Sequence, residues 1–121
     1  MTKKILLVED NHHNATLVRK VVASQGYQYY WAQNAETGLD LAIKEDPDLI
    51  LLDLGLPDVD GQTLFGWMRM ESKLDDKPIL AITAWPEETA LRMVEAYGFD
   101  AYISKPLDIK KFIQTLKSYL D

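Results

Sequence analysis

Short aliphatic runs that stop abruptly at polar or turn-forming residues alternate along this chain with stretches whose apolar residues recur at helical spacing. The stretch Leu49–Pro57 shows the first kind of pattern best: Leu49, Ile50, Leu51 and Leu52 run straight into Asp53, and Gly55, Pro57, Asp58, Asp60 and Gly61 follow as a turn. A continuous apolar run of this length suits a strand buried on both faces, as in a parallel sheet. Such a strand carries Asp53 out of the core at its C-terminal end, the edge at which open parallel sheets bind ligands.

The same reading extends along the chain. Lys4–Glu9 predicts a buried strand, and a helix follows over His12–Gln25 through Leu17, Val18, Val21 and Val22, stopped by Gly26. Tyr27–Ala32 is aromatic and β-prone. Ala35–Lys44 predicts a helix with Leu39, Ala42 and Ile43 inward, broken at Asp46-Pro47. After the Asp53 strand come a helix over Gln62–Ser72 through Leu64, Trp67 and Met68, and a charged loop, Lys73–Lys77. Pro78–Thr83 predicts a fourth buried strand, and Pro86 suits the first position of a helix running to Tyr97, ended by Gly98. Ala101–Ser104 is a fifth strand. A last helix carries Ile109, Phe112, Ile113, Leu116 and Leu120 on one face. Five strands alternating with five helices imply an α/β fold, a parallel sheet with helices on both faces. Periodicity leaves the strand order open.

Composition narrows the picture. The 121 residues suit one domain, 1–121, and 47% hydrophobic with 26% charged residues is ordinary for a soluble globular protein. No apolar run approaches a membrane span, and the apolar patch near the N-terminus is too short for a signal peptide. The absence of cysteine excludes disulfides and thiol chemistry and is compatible with a cytoplasmic location. A formal charge of −6 with no Lys/Arg stripe argues against direct nucleic-acid binding.

The polar residues at strand ends carry the chemistry. Glu9 and Asp10 end the first strand, Asp53 the third and Thr83 the fourth, and Lys105 follows the fifth. In a parallel sheet these ends share one edge. Each has a structural reading when taken alone: Asp10 with Asn11 as a helix cap, Asp53 as a turn residue, Thr83 as a hydroxyl bonded to backbone, Lys105 as a solvated lysine beside Pro106. Together they place three carboxylates, a hydroxyl and an ammonium in one spot. Joint ionisation of three close carboxylates needs cations. Lys105 supplies one charge, and an all-oxygen donor set suits magnesium. A metal beside Asp53 would neutralise charge on an incoming phosphoryl group, Asp53 could attack phosphorus to form an acyl phosphate, and Thr83 and Lys105 could hold the phosphoryl oxygens. His12 and His13 read as solvent-facing residues of the first helical turn, since no third ligand stands at a metal-site spacing. The three Trp residues, Met68 and Met70 read as packing.

From end to end the chain resembles a bacterial-type response-regulator receiver domain. The matching motifs are Glu9-Asp10-Asn11, Pro47-Asp48-Leu49-Ile50-Leu51-Leu52-Asp53, Leu56-Pro57 with Asp60-Gly61, Thr83-Ala84 and Lys105-Pro106. Any one of them is weak, but all of them in order across five β/α units are highly specific. The resemblance implies a flavodoxin-like sheet of order 2-1-3-4-5, the order for which chemotaxis receivers are an established example. It implies Asp53 as the phosphoacceptor, and a magnesium site (manganese as a substitute) held by Asp10, Asp53 and the Gly55 carbonyl, with Glu9 acting mainly through water. It implies Thr83 and Tyr102 as the switch pair, and the surface of the fourth helix, fifth strand and fifth helix as the output face. The implied donor is a phosphohistidine on a sensor histidine kinase or a histidine phosphotransfer protein. The implied role is that of a signalling module which promotes its own phosphorylation and dephosphorylation, not a turnover enzyme.

The departures are local. Gly55 stands where the family often has a larger side chain and would leave the site open on one side. Trp85, two residues after Thr83, would shield the other. Pro86 restricts Trp85 to extended backbone and should stiffen a loop that usually moves. Lys110, Lys111 and Lys117 occur on the last helix without arginine, so the charge pairing of transcription-factor receiver dimers is not evident and a monomer is expected. The chain ends directly after that helix. As a complete protein it would act by protein–protein contact, either as a diffusible messenger to an unidentified protein target or as a phosphate relay between phosphohistidine proteins, and it could also be a receiver excised from a larger protein. Three other readings compete. A receiver-like interaction module that takes no phosphate is disfavoured by the intact Asp53, Thr83 and Lys105. A haloacid-dehalogenase-type enzyme would place a second Asp where Gly55 stands. A flavin carrier would offer amides in its first loop, where Glu9 and Asp10 would repel a phosphate.

Overall fold

The computed structural model describes residues 2–121. Ten elements alternate: β1 (Lys4–Val8), α1 (His12–Ser24), β2 (Gln28–Ala32), α2 (Ala35–Glu45), β3 (Leu49–Asp53), α3 (Gly61–Met70), β4 (Ile79–Thr83), α4 (Glu87–Tyr97), β5 (Ala101–Ser104) and α5 (Ile109–Leu120). All neighbouring strands pair in parallel, in the order β2-β1-β3-β4-β5.

Strand alternation builds two cores. Leu6, Val8, Ile50, Leu52 and Ala81 point to one face and pack with Ala35 and Ala42 of α2, Leu64, Phe65 and Met68 of α3 and Met93 of α4. Ile5, Leu7, Leu49, Leu51, Leu80 and Ile82 point to the other, against Ala15, Val18 and Val22 of α1 and Phe112, Leu116 and Leu120 of α5. This two-sided burial is why the central strands have no polar alternation.

Most predicted boundaries fall within two residues of the observed ones, and four details differ. Leu17 is 38% exposed, because the buried stripe of α1 runs Ala15, Val18, Val22 and leaves Leu17 on its margin. Trp67 is likewise 40% exposed, and Phe65 takes the core position, stacked on Phe99 with ring centroids 4.1 Å apart. Ile109, at the first turn of α5, is 39% exposed. Pro86 is the residue before α4 rather than its first residue: its backbone is extended (ψ 149°) while its carbonyl accepts from Ala90 N at 2.9 Å. Helix α4 has no side-chain cap, but Glu87 and Glu88 lie in its first turn, where acidic charge suits the helix dipole.

The Lys73–Lys77 loop is more than a charged connection. Leu74 is fully buried, and Arg69 of α3 fixes the loop by donating Nη1 to the carbonyls of Leu74 (2.9 Å) and Lys77 (2.8 Å) and Nη2 to Asp100 Oδ2 (3.1 Å). Asp100 also accepts from Ile79 N at 2.8 Å, at the start of β4. Truncation to Ala strands several acceptors at once, so R69A is expected to lose about 2–3 kcal/mol in urea unfolding. A variant as stable as the parent would show that water replaces the guanidinium without cost.

Candidate functional site

The C-terminal ends of β1, β3 and β4 and the start of the β5–α5 loop meet at one edge of the sheet. Parallel pairing places Val8 beside Leu52, Asp53 beside Ile82 and Thr83 beside Ser104, so the residues that end or follow these strands converge. Glu9 N donates to Ala32 O at 2.9 Å, and Trp31 Nε1 donates to Glu9 O at 2.7 Å, which fixes the backbone where β1 ends. Helix α1 is capped by Asn11, whose Oδ1 accepts from Asn14 N at 3.0 Å. Asp10 is therefore not the cap, and its side chain stays exposed beside the site. Asn14 Nδ2 donates back to Glu9 Oε1 at 3.1 Å.

Asp53 is buried at the end of β3. Its Oδ1 accepts from Lys105 Nζ at 3.1 Å and from Gly55 N at 3.3 Å. The same ammonium lies 3.5 Å from Glu9 Oε2. Lys105 is held in place by its own backbone, whose N–H donates to Thr83 O at 2.8 Å, and a cis peptide joins it to Pro106. Thr83 is buried, and its Oγ1 accepts from Trp85 N at 2.9 Å. Asp53, Leu54, Gly55, Thr83, Ala84, Trp85 and Lys105 line a cleft of about 290 Å³.

Glu9, Asp10 and Asp53 each bring a carboxylate oxygen within 4.8 Å of the others. Glu9 is 1% exposed, and its Oε2 has no hydrogen-bond partner among the described residues. Burial pushes the Glu9 carboxyl up to about 7; the Asn14 bond opposes this, and the neighbouring Asp53 charge adds to it. Three converging carboxylates, with an ammonium beside Asp53 and Glu9 and a buried oxygen that makes no hydrogen bond, form a donor set that fits a hard divalent cation.

The predicted site residues Glu9, Asp10, Asp53, Gly55, Thr83 and Lys105 are thus brought together. Tyr102 is not among the residues lining this cleft. It is half-buried on β5 and lines a separate cavity of about 260 Å³ with Pro106, Lys111 and Phe112. His12 and His13 are exposed as expected, although the His12 ring meets Trp31 edge-on at 5.0 Å. Asn14 and Trp31, which orient Glu9, were not legible as site residues. Asn14 lies on a helix at no motif spacing, and Trp31 reaches the site only through strand pairing.

The sequence pattern of the response regulator receiver domain matches residues 5–117. This chain belongs to that family. The receiver is 38% identical over 120 residues to the polar-differentiation response regulator DivK of Brucella ovis, covering 99% of this chain and 98% of that one. Its fold is similar to that of the chemotaxis response regulator CheY4 of Vibrio cholerae (TM-score 0.92, 25% identity, 99% and 100% of the two chains). It is also similar to the receiver domain of a Pseudomonas aeruginosa sensor histidine kinase, with TM-score 0.89, 27% identity and 98% of each chain covered. That domain was solved with a magnesium ion coordinated in its active-site cleft. The receiver is a phosphoacceptor signalling module of the two-component type, a class that takes its phosphoryl group from a kinase and acts on a downstream target. Among the described residues no helix is long and apolar enough to cross a membrane.

Proposed function

We propose that residues 1–121 form one receiver domain that accepts a phosphoryl group on Asp53 from a phosphohistidine donor, a sensor histidine kinase or a histidine phosphotransfer protein, with magnesium bound beside it. The observation that carries this reading is the pairing of buried Asp53 with Lys105 at 3.1 Å in a cleft where Glu9 and Asp10 also converge. Asp10, Asp53 and the Gly55 carbonyl would hold the ion, with Glu9 behind them, and manganese could substitute for it. When bound, the ion supplies positive charge that neutralises the carboxylates and the phosphoryl oxygens.

The chain's own residues do the rest. An Asp53 carboxylate oxygen attacks phosphorus, the P–O bond forms as the P–N bond to the donor imidazole breaks, and the bonding pair returns to that ring nitrogen. Lys105 turns from Asp53 to the transferred group, and the Thr83 hydroxyl, which accepts from Trp85 N, can donate its own proton to a phosphoryl oxygen. The acquired charge, roughly −1.5 to −2, gives Thr83 and Lys105 partners they lack beforehand. Inverting a 1:99 population takes about 5.5 kcal/mol of differential stabilisation. A few charge-assisted bonds of roughly 1.5–3 kcal/mol each are of that order. Thr83 and Tyr102 then relay the change to the surface of α4, β5 and α5, which controls a protein target. The domain promotes its own phosphorylation and dephosphorylation without being a turnover enzyme, and acts as a cytoplasmic monomer.

Incubation with acetyl phosphate and magnesium, read by intact-protein mass spectrometry, is expected to add one phosphoryl group. EDTA in excess of the metal abolishes the gain, and restored magnesium recovers it. Equal labelling in EDTA would sink the metal requirement, and no labelling with magnesium present would sink the phosphoacceptor assignment.

A further inference from the structure

The loop between β3 and α3 carries Gly55, yet little at Gly55 itself holds it in place. Gly55 is exposed, and a Cβ built on it would meet nothing within 4 Å. Its bond to Asp53 Oδ1 is long, at 3.3 Å. Leu54 before it is buried and held by its backbone, its N donating to Ile82 O at 3.3 Å and its O accepting from Gly61 N at 3.0 Å, so what remains to be fixed is the loop on the other side of Gly55. Leu56 and Val59 rest against the core, a contact without directional preference. Asp60 serves the next helix, accepting from Thr63 N at 2.8 Å. Asp58 does something different. Its Oδ1 accepts from Ala35 N at 2.9 Å and its Oδ2 from Glu36 N at 3.1 Å, the first two amides of α2.

Asp58 thus ties the loop to a rigid helix through both carboxylate oxygens, in a fixed orientation, only three residues from Gly55. These amides would otherwise lack intrahelical partners. The third amide of the helix, Thr37 N, is capped locally by Asn34 Oδ1 at 2.9 Å, so the helix has a cap of its own besides Asp58. Both bonds hold the Asp58 carboxyl below the usual carboxylate range, that to Ala35 contributing most.

We infer that Asp58 is a positioning residue for the phosphorylation site: by clamping the loop to the N-terminus of α2 it sets the Gly55 backbone at the metal-binding edge. The inference rests on the functional reading above, because it needs a cation at that edge. Its consequence is that magnesium affinity responds to a side chain that touches neither the ion nor Asp53. Partners that orient metal ligands usually matter to affinity by about 10–100-fold.

Isothermal titration with magnesium chloride separates the outcomes, using the parent, D58A, D58N and N34A, each with a thermal melt. D58A is expected to bind magnesium about tenfold more weakly at the lower end of that range. D58N keeps one acceptor oxygen and recovers part of the loss. N34A removes a cap from the same helix without touching the loop, so it lowers the melting temperature but leaves magnesium affinity near that of the parent. The inference is overturned if D58A binds as tightly as the parent, or if N34A weakens binding as much as D58A does. The first result would mean that the loop holds itself, the second that helix stability alone is responsible. A parent that binds no magnesium overturns the functional reading and this inference with it, a result distinct from either.

Discussion

Asp53→Asn is expected to take up no phosphoryl group from acetyl phosphate under conditions that label the parent. The change is nearly isosteric and keeps an oxygen for Lys105 and Gly55 N, which now donate to Asp53 Oδ1 at 3.1 and 3.3 Å. It would remove the proposed nucleophile, because a neutral amide oxygen is far less nucleophilic than a carboxylate and cannot give a stable acyl phosphate. It also removes one of three crowded negative charges. Glu9 then faces Lys105 with one competitor fewer, so D53N is expected to fold at least as stably as the parent in the absence of metal. The two results together are diagnostic: lost labelling with retained stability assigns Asp53 to chemistry. Undiminished labelling of D53N would move the acceptor elsewhere, and peptide mapping of the labelled protein would find it.

Gly61→Ala is the second large effect. A Cβ at Gly61 would lie 2.7 Å from the Asp53 carbonyl oxygen and 2.8 Å from Leu54 Cα, both backbone atoms that cannot swing aside. The glycine is needed for close approach: its N–H donates to Leu54 O at 3.0 Å, which seats the start of α3 on the end of β3. Overpacking of this kind costs about 1–3 kcal/mol. Relief requires the backbone of Asp53 to move, and a reacting group misplaced by about 1 Å can lose as much as 10²-fold in rate. G61A is therefore expected to lose about 2 kcal/mol in urea unfolding and to label with acetyl phosphate at least about tenfold more slowly. Gly66→Ala is the control. An added Cβ there meets nothing within 4 Å on an exposed helical face, and the helix gains about 0.5–1 kcal/mol. A G61A protein with parental stability and rate would mean that the α3–β3 seat yields without moving Asp53.

The same stretch shows how far local reading reaches. Leu49–Leu52 announced a strand buried on both faces, and the two cores bear this out, with Leu49 and Leu51 in one and Ile50 and Leu52 in the other. The motif residues at strand ends were legible because a parallel sheet gives every strand end one address. Amphipathic margins were less legible. Leu17 and Trp67 are apolar and helical, but a stripe at 3.6-residue period admits one neighbour and excludes the next, and only packing chose Ala15 and Phe65. The Asp10–Asn11 pair left two candidate caps. The fold selected Asn11, which frees the Asp10 carboxylate for the site.

What the sequence determined by itself was the β/α alternation, the family and the candidate residues that converge at the strand ends, because these depend on periodicity and on residue type at ordered positions. What tertiary structure decided was how those residues are held: Trp31 and Asn14 on Glu9, Asp58 on the first turn of α2, Gly61 against Asp53, Arg69 on the Lys73–Lys77 loop. Each joins segments that pairing and packing alone bring together. An orienting side chain needs only a donor or acceptor, or no side chain at all, at the right point in space, and many residue types at many spacings meet that need. The proposed nucleophile and its ammonium are set by chemistry, and chemistry is written in residue identity. Their orientation is set by distance, which exists only once the chain has folded.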